Sequence, residues 1–125
     1  MKIVKTLKKL NDGEKVKIAA LGDSLTYGWM TEYGFLDYLK TMLNEKFPDS
    51  EITILNRGIP GDTAKDGLRR VENDIIRTQP DLVMVQFALN DAYTGFTPED
   101  FQKNIDEIIL RLKDKTASEI ILLTS

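Results

Sequence analysis

The sequence contains no cysteine and no histidine in 125 residues. The first absence excludes disulfides, thiolate metal ligands and a cysteine nucleophile together, and it suits a reducing compartment. The second removes imidazole, the commonest general base near neutral pH. Long hydrophobic runs are missing too. No segment approaches the ~18 consecutive apolar residues of a membrane span, and the opening MKIVKTLKKL lacks the apolar stretch of a signal peptide. These features predict a cytoplasmic protein with no membrane span. Neither sign of charge dominates: 17 Lys and Arg stand against 20 Asp and Glu. A net charge of -3 gives no reason to expect nucleic acid as a partner. The basic run KTLKKL is read as a solvated helix or strand face.

What is present is an ordinary globular mixture, 42% hydrophobic and 30% charged. A chain this long buries about two thirds of its unfolded surface, enough for a core. No repeat, low-complexity tract or linker interrupts it, so residues 1–125 are expected to form one domain.

Strand and helix signals alternate. VKIAAL (Val16 to Leu21) is a short apolar run that stops at Gly22. Phe35, Leu36, Leu39, Met42 and Leu43 then recur at helical spacing until Pro48. EITILN (Glu51 to Asn56) is rich in β-branched residues. Ala64, Leu68, Val71 and Ile75 form a second helical stripe, ended by Pro80. DLVMVQFA (Asp81 to Ala88) is nearly continuous hydrophobe, as in a strand buried on both faces. Thr97 caps a third helix, with Pro98 at its first position and Phe101, Ile105, Ile108, Ile109 and Leu112 inside. SEIILLTS closes the chain as a fourth strand. Four strands alternating with three helices predict a doubly wound parallel α/β sheet.

Ligands in such sheets sit outside the carboxyl ends of the strands. That rule selects the loops Gly22 to Thr31, Gly58 to Thr63 and Asn90 to Thr97. Ser24, just past the first strand, is either an accessible hydroxyl or a helix cap. Gly58 and Gly61 let the backbone approach a ligand with N–H groups free to donate, or simply make a turn. Asn90 offers two N–H donors to a developing oxyanion, or an Asx turn.

The three segments GDSLT, GIPGDT and LND, each after a strand and in order, resemble the SGNH hydrolases, also called the GDSL esterase/lipase family. The similarity runs from about Val16 to the end of the chain. It implies a flavodoxin-like, three-layer α/β/α sheet of order 2-1-3-4-5 and hydrolysis of a small-molecule acyl ester. By this resemblance Ser24 is the nucleophile and also an oxyanion N–H donor. Gly61 gives a second backbone N–H, and the Asn90 side chain gives the third donor. Asp23, Trp29 and Asp91 are expected beside the substrate, with Met30 and Tyr33 near Trp29. No cofactor and no metal are expected.

Two departures stand out. Ala88 replaces the glycine that usually opens the third block. More seriously, the family's C-terminal Asp-x-x-His and fifth strand are not in this sequence, so the expected domain is truncated after the fourth strand. Without a base a serine hydroxyl is a poor nucleophile, and this polypeptide alone is expected to be nearly inert. A fourth strand at the sheet edge also predicts a homo-oligomer through that edge. The acyl group could belong to a lysophospholipid, a thioester or an acetylated sugar. The competing expectation is a non-catalytic flavodoxin-like binding or signalling module that uses Asp23 and Asp91 as an acidic site.

Overall fold

A computed structural model describes residues 3–28, 30 and 32–123. Its four strands are β1 (Val16–Gly22), β2 (Ile52–Gly58), β3 (Leu82–Gln86) and β4 (Glu119–Leu123). They form one parallel sheet in the order β2-β1-β3-β4. This is the doubly wound α/β architecture that the alternation predicts, with the first four positions of the 2-1-3-4-5 order filled.

Successive side chains of a strand point to opposite faces, and here both faces are covered. Ala19, Leu21, Val83 and Val85 meet the inner stripes of α4 (Ala64–Asp74) and α6 (Pro98–Lys115), through Val71, Ile105, Ile108 and Leu112. Val16, Ile18, Ile52 and Leu82 meet α1 (Val4–Asn11) through Leu10, and α3 (Phe35–Lys46) through Leu43. Three layers result, which explains why β1 and β3 read as continuous hydrophobe rather than as alternation.

Several elements differ from expectation. The basic run near the start forms α1, a helix beyond the three predicted: Lys5 and Lys8 are exposed, as a solvated helix face requires, while Thr6 and Leu10 are buried. Its start is fixed from far away in sequence. The Glu119 carboxylate accepts from the Lys5 and Thr6 N–H groups at 3.2 and 2.6 Å, and from the Thr6 hydroxyl at 2.7 Å. Two short helices, α2 (Ser24–Tyr27) and α5 (Leu89–Tyr93), occupy stretches expected to be loop. In α3 the inner stripe is Leu36, Leu39 and Leu43, continued by Phe47 just past its end, whereas Met42 is 64% exposed and turns away from it. β3 ends at Gln86, two residues before the predicted limit, because the backbone turns out of the sheet at Ala88. Thr97 caps α6 as expected, accepting from the Asp100 N–H at 3.1 Å with Pro98 in the first turn.

Candidate active site

Register brings the three candidate segments together. Gly22, the last residue of β1, pairs with Gly58 of β2 on one side and with Gln86 of β3 on the other. Neighbouring strands lie about 4.8 Å apart, so the chain leaves the sheet side by side at Asp23, Ile59 and Phe87. Ile59 N–H donates to Gly22 O at 3.0 Å and ties the second exit to the first.

Ser24 is the first residue of α2 and is half-buried. Its cap is Asp23, whose Oδ1 accepts from Leu25 N–H at 3.0 Å. The other oxygen, Oδ2, accepts from the Gln86 side chain at 3.3 Å, and Gln86 Oε1 accepts from the Thr26 hydroxyl at 3.2 Å. All three residues are buried, Asp23 to 2% exposure. This small network fixes α2, and with it Ser24, over the end of β3. Gln86 was the one polar residue inside the apolar run that follows Asp81, which was its only signal in the sequence.

Gly58 shows why α2 can sit so close to the sheet. A Cβ at that position would lie 2.8 Å from the Thr26 carbonyl carbon and nearer still to Tyr27 N. Gly61 is needed for a different reason. Its φ is +88°, in the left-handed region that disfavours side chains, and it lies exposed with open space where a Cβ would be.

The third segment clasps the second through two consecutive residues. Asn90 Nδ2 donates to Asp62 O at 3.1 Å, and both oxygens of Asp91 accept from Ala64 N–H, each at 3.1 Å. Ala64 opens α4, so Asp91 sits at the positive end of that helix. Burial nonetheless holds the Asp91 carboxyl above its ordinary value, against the lowering effect of the Ala64 bond. Asp62 is likewise raised by burial, although Arg70 pulls the other way. Thr63 caps α4, and Asp66 answers by accepting from Thr63 N–H at 2.9 Å, which holds Asp66 below its ordinary value.

The polar groups at these strand exits divide into two sets. Asp23, Gln86, Asp62 and Asp91 are all bonded within the protein. Ser24 N–H, the Ser24 hydroxyl and Gly61 N–H have no partner among the described residues. The Asn90 carboxamide carries two N–H bonds and uses one on Asp62. The structure thus gathers Gly61 and Asn90 directly, and joins Ser24 to them through the common strand ends. Asp23 and Asp91, expected beside the substrate, lie beneath the surface with their oxygens engaged. Trp29 and Thr31 lie outside the described residues. Met30 is 89% exposed and Tyr33 62%, the latter with its ring centroid 5.8 Å from that of Tyr38. Among the described residues no group of three acidic side chains is placed to hold a metal ion. No helix among them is long and apolar enough to cross a membrane.

Comparison with known proteins supplies the lineage. Residues 20–124 match the model of the GDSL-like Lipase/Acylhydrolase family. An arylesterase of Vibrio mimicus is 32% identical over 108 residues, covering 85% of this chain and 53% of its own. The thioesterase 1/protease 1/lysophospholipase L1 of Escherichia coli is 29% identical over 102 residues, covering 82% and 48%. The chain therefore spans about half the length of these curated relatives. A two-domain esterase active on acetylated mannans superposes with a TM-score of 0.83 at 27% identity, over 96% of this chain and 33% of that one. A family match over most of the sequence, carried on the same sheet, shows that this chain belongs to the GDSL-like lipase/acylhydrolase family.

Proposed function

We propose that this chain is the nucleophile-bearing part of a serine acyl-ester hydrolase. The observation that carries the proposal is the set of unclaimed donors. Ser24 N–H and Gly61 N–H have no partner among the described residues and stand at adjacent strand ends, where Asp23, Gln86, Asp62 and Asp91 are all bonded. Donors held in place without partners are what a developing oxyanion requires.

In this reading Ser24 Oγ forms a bond to the acyl carbon and its proton passes to a base. The carbonyl oxygen takes the electron pair and is held by Ser24 N–H, Gly61 N–H and the second N–H of Asn90. Collapse expels the alcohol, which leaves with a proton, and water then cleaves the acyl-serine by the same route. Asp23 and Asp91 hold the loops from below. The substrate is a small acyl ester, and the activities of the relatives bracket its class: aryl ester, thioester or lysophospholipid, and acetylated polysaccharide.

The base is not supplied by this sequence. Asp23 and Asp91 are committed to Leu25, Gln86 and Ala64, and a carboxylate is a weak base at neutral pH. Serine hydrolases deprived of a triad member retain only about 10³–10⁴-fold catalysis over water. The 125-residue polypeptide by itself is therefore expected to turn over esters barely above background.

The test is fluorophosphonate labelling of two proteins, this chain alone and this chain joined to an Asp-x-x-His segment of a relative. Labelling of the joined protein at Ser24, lost in Ser24→Ala, supports the hydrolase. Rapid ester turnover by the chain alone, abolished by Ser24→Ala, would show that a base does lie within these 125 residues. Labelling that persists in Ser24→Ala would remove Ser24 as the nucleophile.

A further inference from the structure

We propose that Arg70 is the positioning residue of the oxyanion hole, a single guanidinium that sets Ser24 and Gly61 relative to each other. The proposal rests on the hydrolase reading for its function, and on geometry for its content.

Arg70 lies on α4 with only 15% of its side chain exposed, and it makes four hydrogen bonds. Nε donates to Asp62 Oδ2 at 2.8 Å. Nη1 donates to Arg57 O at 2.8 Å and to Asp74 Oδ2 at 2.9 Å. Nη2 donates to Gly22 O at 3.1 Å. Four of the five guanidinium N–H bonds are thus used, and three end on the segments that carry the site.

Three of the acceptors lie on the segments that carry the proposed oxyanion donors. Gly22 O belongs to the peptide that enters Asp23 and Ser24. Arg57 O belongs to the peptide that enters Gly58, against which α2 packs. Asp62 follows Gly61 directly, and its own carbonyl accepts from Asn90. One planar cation therefore fixes the distance between the first and second segments, and Asp62 relays that position to the third. Asp74, on the same helix, holds the guanidinium at the correct rotation. Gly61 itself has nothing within 4 Å of where a Cβ would stand, so the bonds of Asp62 to Arg70 and Asn90 bear on where this residue rests.

Lysine cannot replace this arrangement. An ammonium is a compact point charge with three donors, and it cannot span acceptors spread along one plane on three segments. Oxyanion donors lose most of their value when displaced by a fraction of an ångström. Arg70→Lys should therefore keep charge and fold while loosening the site.

The experiment uses the 125-residue chain and ¹⁵N relaxation of its backbone amides. In Arg70→Lys, order parameters at Ser24, Gly61 and Asp62 are expected to fall from about 0.85, typical of rigid backbone, to below about 0.6, while those of β1 and β3 hold. Ile108→Val, a core change under α6, serves as the control for lost stability and should leave the three residues rigid. If Arg70→Lys does not fold, Asp62→Ala removes only the Nε bond, and loosening confined to Gly61 and Asp62 is expected. Unchanged order parameters in a folded Arg70→Lys, or loosening spread evenly over the sheet, would overturn the proposal. In the protein joined to an Asp-x-x-His segment, Arg70→Lys should lower kcat about 10–100-fold with KM nearly unchanged, the signature of a contact that matters only in the transition state. Failure of Ser24 to label would sink the hydrolase reading. The relaxation result would still stand or fall alone.

Discussion

The side-chain nitrogen of Asn90 lies 3.1 Å from the main-chain oxygen of Asp62 and donates to it. A side chain that leaves the sheet after β3 thus determines where a loop after β2 rests. The same carboxamide has a second N–H, the one proposed above to meet the oxyanion.

Asn90→Ala separates these roles by magnitude. Loss of one net hydrogen bond costs about 0.5–1.5 kcal/mol, readable as a small shift in the urea midpoint of the 125-residue chain. Loss of an oxyanion donor lowers kcat by about 10²–10³, to be measured in the protein joined to its Asp-x-x-His segment. A fall in kcat no larger than the stability change accounts for would leave Asn90 a loop clasp and nothing more.

Gly58→Ala tests the seat of α2. The added methyl would meet backbone atoms of Thr26 and Tyr27, which cannot move unless the whole helix moves. Overpacking of this kind costs roughly 1–3 kcal/mol. Chemical denaturation should show that loss, and amide shifts from Asp23 to Gly28 should change more than those of α6. Gly61→Ala is expected to differ in kind: space is open there, so the penalty comes from the φ of +88° alone.

Much of this was legible in the sequence, and the reason is physical. Buried parallel strands need apolar residues on both faces, so β1 and β3 announce themselves as unbroken runs. Strand-end loops need glycine and short polar side chains, so Ser24, Gly61 and Asn90 stood out. Elements fixed by distant partners did not. The start of α1 is held by Glu119, more than a hundred residues away, and no local pattern could show it. Arg70 carried no signal in the sequence, because two of its four acceptors are carbonyl oxygens, which every residue has, and a third is a carboxylate on another segment. Met42 misled for the opposite reason. It is apolar at nearly the right spacing, yet Leu36, Leu39 and Leu43 already fill that face.

Stability against pH should carry two opposed contributions. Burial raises the Asp91 carboxyl above its ordinary 3.8, so between 3.8 and its native value the folded chain binds more protons than the unfolded one. Stability from this group therefore falls as pH rises through that window. Asp66 is lowered below 3.8, first by its bond from Thr63 N–H, so its contribution is present above 3.8 and is lost as pH drops below it. Urea midpoints measured from pH 3 to 7 are expected to show a shallower fall above 3.8 in Asp91→Asn and a shallower acid limb in Asp66→Asn. Identical profiles for both variants and the parent would contradict the two assignments.

The two margins of the sheet are guarded unequally. β2, at one side, carries exposed Thr53 and Asn56 among its apolar residues. β4, at the other, runs Glu119-Ile120-Ile121-Leu122-Leu123, with every residue half-buried, and has a strand neighbour on one side only among the described residues. A hydrophobic strand margin without lysine or proline is a template for pairing with another chain. The 125-residue polypeptide is accordingly expected to self-associate at micromolar concentration through β4. Ile121→Lys places a charge on that margin, and its long stem can turn the ammonium to water from a half-buried site. Light scattering should report an oligomer for the parent and a smaller species for the variant, with circular dichroism confirming that both are folded. A parent that stays monomeric across this range would show that the β4 margin is protected without a partner chain.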